Sequence, residues 1–153
     1  MPARPHYEDD FYAWTQYQAR VLRSLRTADN RLDREHVAEE IEDLGKSERD
    51  AARSQIRRIL EHLLKLQFSP ARGPRYDWMA TIAEARAGLS DKLSPTLIRD
   101  VEAMLGKLYA DARRKAMLAL SEFGEEAAAN NLPADCPYSI DEICRDDWYP
   151  ELR

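Results

Sequence analysis

The chain has 153 residues, of which 44% are hydrophobic and 33% charged, and a net charge of −5 at pH 7. That length suits one domain, 1–153, with a single core. The scarcity of glycine, the lack of any alternating apolar segment, the acid excess and the lack of an apolar run near the roughly 20 residues of a membrane span argue against a β protein, a general nucleic-acid binder and a membrane protein.

Residues 1–8 read as a loose, polar, proline-bearing arm. Asp9 or Asp10 can cap a first helix, with Phe11, Trp14, Tyr17, Val21, Leu22 and Leu25 as its apolar stripe. Asp29 and Asn30 suit the turn after it, and so short a connection predicts that the next helix runs antiparallel.

That next helix, 33–68, is the longest, and the rest of the chain is organised around it. Asp33 is its N-cap, and Leu32 and Val37 are placed as a hydrophobic staple. Val37, Ile41, Leu44, Ala52, Ile56, Ile59, Leu63 and Leu66 fall on one face at roughly 100° per residue. Gly45 costs about 1 kcal/mol against alanine and marks a close crossing or a slight bend. Glu48, Gln55 and His62 intrude on the apolar face at intervals of seven residues.

Ser69 to Arg75 is a break rich in proline. A third helix follows, with Asp77 as cap and Trp78, Ile82, Ala85, Leu89 and Leu93 as its stripe. Ser94-Pro95 starts a fourth, serine at N-cap and proline at N1. Leu97, Val101, Leu108, Ala112, Ala116 and Leu120 carry it toward Ala129, with Phe123 on its stripe and Gly124 weakening its last turns. The tail, 133–153, is aromatic enough to dock, and Ser139 with Glu142 forms a capping box for a short helix. The expected architecture is an all-α four-helix bundle with two long helices and a short capped C-terminal helix.

With these segments placed, several stretches can be matched together. Tyr7 to Trp14, Ala38 to Gly45 (Ala-Glu-Glu-Ile-Glu-Asp-Leu-Gly) and His62 to Lys65 (His-Leu-Leu-Lys) form one set. Trp78, Cys136-Pro137-Tyr138 and Tyr149-Pro150-Glu151 complete it. In this combination and order the chain resembles a bacterial family known only as domain-of-unknown-function family 29. The resemblance implies a compact helical protein. It brings no activity, and so no catalytic residue.

The chemistry left to weigh lies on the long helix. Glu40, Glu48, Gln55 and His62 form a candidate buried polar layer, hydrogen-bonded to groups such as Tyr12, Trp14, Tyr17 or Trp78, because unpartnered buried polar groups cost about 1–3 kcal/mol. The rival reading is a metal-dependent enzyme using Glu40, Glu48 and His62 with ligands from another helix, although no Glu-x-x-His motif is present. Arg53, Arg57, Arg58, Lys65, Arg72 and Arg75 could touch nucleic-acid phosphates, but adjacent Arg57 and Arg58 diverge. No serine or cysteine sits in a nucleophile motif, and the spacing of Cys136 and Cys144 fits no zinc pattern. No catalytic, cofactor or metal residue is assigned. The preferred reading is a cytoplasmic, non-catalytic module for protein interaction or regulation, with self-association as one form of it.

Overall fold

The computed structural model describes residues 3–153, and among these every regular element is a helix. In order they are α1 (Phe11–Ser24), α2 (Arg34–Phe68), α3 (Arg75–Leu89), α4 (Pro95–Glu122), α5 (Glu126–Asn130) and α6 (Ile140–Cys144). None of the described helices is long and apolar enough to cross a membrane.

The starts of these helices follow local chemistry. Asp10 caps α1 by accepting from the Ala13 N–H, and Asp33 caps α2 by accepting from the His36 N–H. Ser94 caps α4 with Pro95 in its first turn. Ser139 and Glu142 close a reciprocal capping box on α6. Asp77 does not cap α3, which starts two residues earlier behind Pro74, without a side-chain cap. Proline has its φ preset for a first turn, so the helix nucleates at the break itself.

α2 is the hub. It packs against α1, α3 and α4, whereas α1 and α4 meet only narrowly. Ile56, Ile59, Leu60, Leu63, Leu64 and Leu66 are fully buried on α2, facing Ile82, Ala85 and Leu89 of α3 and Leu97, Val101, Leu108, Ala112 and Ala116 of α4 in one core. Where α1 crosses, the buried residues are small: Thr15 and Ala19 on α1, Ala38 and Gly45 on α2. The crossing is therefore close, and it turns Val37, Leu44, Val21 and Leu25 of the expected stripes toward solvent.

Six helices replace the expected bundle of four and one. The fourth does not reach Ala129. Gly124 takes φ 76°, its N–H donates to Ser121 O, and the Glu125 N–H donates to Leu120 O at 2.8 Å. That pair of bonds is a Schellman motif, which stops α4 and starts α5 as a separate turn. Of the arm, Met1 and Pro2 lie outside the described residues, while Tyr7 sets its ring edge-on to Phe11 and Trp14 at 5.3 and 4.9 Å.

Candidate functional site

The four polar residues singled out on α2 do not make one buried layer. Glu40 is exposed, and Glu48, Gln55 and His62 are each half-buried. The buried arc of α2 is centred nearer Ile56, Leu60 and Leu63 than the apolar spacing implies, which leaves the polar series along one edge.

Each of the three has its own surroundings. Glu48 lines a polar cavity of ≈ 180 Å³ with Tyr12, Ser90, Asp91 and Lys92, between the start of α1 and the α3–α4 turn. Gln55 lies against Gly88 of α3, and its Oε1 is buried with no hydrogen-bond partner among the described residues. His62 Nδ1 lies 2.8 Å from Arg58 O of its own helix, so it bonds along α2 and not across to a neighbour. Burial pushes the His62 pKa down, outweighing the Arg58 carbonyl. With Nδ1–H donating to that carbonyl, Nε2 is the acceptor.

Glu48 and His62 are fourteen residues apart, roughly 21 Å along an α-helix, so one ion cannot touch both. Among the described residues no three His, Cys, Asp or Glu side chains gather as a metal set. Burial raises the pKa of the Cys136 and Cys144 thiols, which keeps them protonated and poor nucleophiles at neutral pH. Half of the basic run is ion-paired: Arg53 forks onto Asp100 at 2.8 and 2.6 Å, Arg58 lies 3.6 Å from Glu84 and Lys65 3.0 Å from Glu61, while Arg75 donates to Leu66 O at 2.8 Å.

A large apolar cleft lies at the C-terminal end of α2. Pro70, Ala71, Pro74, Trp78, Phe123 and Glu125 line a cleft of ≈ 660 Å³. One wall is the proline turn and the start of α3; the other is the end of α4. The Schellman turn at Gly124 throws Phe123 outward, leaving it 78% exposed. Ser69, fully buried, ties the walls together: its hydroxyl donates to Glu125 Oε1 at 2.5 Å and accepts from the Ala71 N–H at 3.1 Å. Two prolines restrict φ in the turn, and that bridge ties it to the residue after α4. Sequence reasoning placed Phe123 on a buried stripe and missed the cleft. The signal available was Gly124 directly behind it.

A family model described as "Domain of unknown function DUF29" matches residues 6–149. A crystal structure of an alpha-helical protein of unknown function from Rhodospirillum rubrum is similar over 95% of this chain and 93% of that one, at 31% identity and a TM-score of 0.84. No curated protein matches the chain.

Proposed function

Since the chain belongs to the family described as domain of unknown function DUF29, whose description carries no reaction, we propose that it is a non-catalytic helical module that acts by binding protein. One observation carries this reading: the ≈ 660 Å³ cleft, five of whose six lining residues are apolar, with an exposed phenylalanine at its edge. Exposed apolar patches of this kind mark interaction sites, and aromatic residues concentrate at the centres of protein interfaces. We place the module in the cytoplasm, a compartment suited to its two free thiols, Cys136 and Cys144.

Affinity capture with the tagged wild type and with Phe123→Ser, each confirmed folded by its melt, tests the reading. Proteins retained by the wild type and lost by the variant are the expected result. Identical sets on both would reject the cleft as the binding surface. Iron, manganese or zinc retained stoichiometrically through dialysis would instead favour a metal-dependent enzyme.

A further inference from the structure

We infer that one face of the α1–α2 hairpin docks an amphipathic helix of another protein, with lysines or arginines at the end nearest Glu48. This is a second surface, and the inference does not rest on the Trp78–Phe123 cleft.

The hairpin has no bulky core of its own. Its helices run antiparallel, with Gln16 donating to Glu42 O and Arg23 paired with Glu35, and they touch through Thr15, Ala19, Ala38 and Gly45. At about 100° per residue, Trp14, Val21 and Leu25 stand roughly 120° round α1 from that contact line, and Val37, Ile41 and Leu44 roughly 80° round α2. In an antiparallel pair the two rotations emerge on the same side, opposite the Arg23–Glu35 pair. Val21, Leu25, Val37 and Leu44 are between 37% and 53% exposed, and Trp14 and Ile41 are half-buried. On this side of α2, Gly88 of α3 lies against Gln55, and α3 ends at Leu89. The stripe from Leu44 to Val37 continues beyond it. α1 has 14 residues, so the face takes a helix about 21 Å long.

Charge complementarity names the occupant. Glu48 lies one turn after Leu44, and Phe11, stacked on Trp14 at 6.0 Å, lies one turn before it. Both stripes therefore begin at the polar cavity that Glu48 and Phe11 line. That cavity carries Glu8, Asp9, Glu48 and Asp91 against Lys92, and none of the five enters an ion pair among the described residues. Exposed Glu40 flanks the same face, whereas exposed Arg20 stands roughly 120° away from the α1 stripe. The turn end is balanced, Arg26, Arg31 and Arg34 standing with Asp29, Asp33 and Glu35. An apolar stripe with fixed negative charge at one end selects a helix with an apolar face and bases at that end. A second copy would bring its own acids to a chain already at −5, and nucleic-acid phosphates would meet the same repulsion.

Isothermal titration calorimetry of the full chain tests the inference with two synthetic amphipathic helices about 21 Å long, one of leucine and lysine and one of leucine and glutamate. The wild type and Phe123→Ser are expected to bind the lysine peptide equally and the glutamate peptide not at all. Leu44→Ser, confirmed folded by its melt, should weaken binding by roughly tenfold or more. Glu48→Lys with Asp91→Lys should lose the lysine peptide and take up the glutamate peptide, although the net charge of the chain stays negative. No binding of the lysine peptide by the wild type, unchanged binding in Leu44→Ser or in the charge variant, or a loss in Phe123→Ser would each overturn the inference. A wild-type dimer in sedimentation equilibrium that Leu44→Ser dissociates would also overturn it, because a second copy would then cover the face.

Discussion

Arg86 is 2% exposed, and its guanidinium binds backbone rather than an acid. It donates to the carbonyls of Glu142, Ile143 and Asp146 at 3.0, 2.9 and 3.2 Å and lies over the Tyr149 ring at 5.2 Å. One planar fork thus satisfies two of the carbonyls that end α6 and one in the turn after it. His62 is the residue whose burial has a testable pH signature. Its pKa is pushed down in the fold from an ordinary value near 6.5, so the unfolded chain takes up the proton at higher pH. The contribution of His62 to stability is therefore complete above about pH 6.5 and declines as pH falls below it, by up to about 1.4 kcal/mol per unit of pKa separation. Asp10, held below its ordinary range because hydrogen bonds from Thr96 and Ala13 outweigh its burial, contributes only at lower pH, below about 4. Urea unfolding at about pH 7.5 and 5.5 should show a smaller drop for His62→Leu than for wild type. An equal drop in both would assign the acid sensitivity elsewhere. His62 was legible as a polar intrusion because its spacing is local. Arg86 was not, since an arginine beside Ala85 looks like helix surface and its partners lie on another element.

At the scale of elements, the α1–α2 crossing is the tightest contact. A Cβ built on Gly45 would land on the Thr15 hydroxyl, with Gln16 Nε2 at 2.9 Å and Thr15 Cβ at 3.0 Å. The neighbourhood cannot give easily. Thr15 is fully buried and donates to Tyr12 O at 2.6 Å, and Gln16 donates across to Glu42 O at 3.2 Å. Alanine would gain about 1 kcal/mol of helix propensity over glycine, whereas overpacking costs about 1–3 kcal/mol. The expected outcome of Gly45→Ala is a net loss in chemical denaturation. Thr15→Ala should recover part of it in a double-mutant cycle, since removing the hydroxyl makes room for the methyl. A Gly45→Ala protein more stable than wild type would mean that the helices separate freely. The same crossing explains what the apolar pattern of α2 concealed. From Ala52 onward, large residues face the core, the expected stripe together with Leu60 and Leu64 beside it. Before Ala52, the close approach selects Ala38 and Gly45, which a search for bulky apolar residues passes over. The caps at Asp10, Asp33, Ser94 and Ser139 were legible because each is settled within four residues. The end of α4 was misjudged because the alanines after Gly124 are good helix formers that resume as α5.

At the scale of the whole molecule, the C-terminal segment closes over the last turns of α2. Tyr138 is 5% exposed and its hydroxyl donates to Gln67 Oε1 at 2.7 Å, while the Arg153 N–H donates to Gln67 O at 2.7 Å. Ile143 is fully buried in the main core, and Trp148 packs against that core and edge-on to Tyr138. On α4, Tyr109 and Arg113 both donate to Pro133 O and hold the start of the segment. Because Gln67 belongs to the hub helix, loosening the segment exposes the core that α3 and α4 also share. It should therefore unfold with the rest in one transition. With Trp14 and Trp78 replaced by phenylalanine, Trp148 fluorescence reports this segment alone, and far-UV circular dichroism reports the helices. The two urea curves are expected to coincide. Tyr138→Phe leaves Gln67 Oε1 buried without its donor, at a cost of about 1–3 kcal/mol. It should move both curves together and lower the melting temperature by about 2–4 °C per kcal/mol, as for a chain of this length. If Trp148 fluorescence changed well before the helical signal, the segment would be a separately docked strap, and Gln67 would serve as its latch and not as part of the common core.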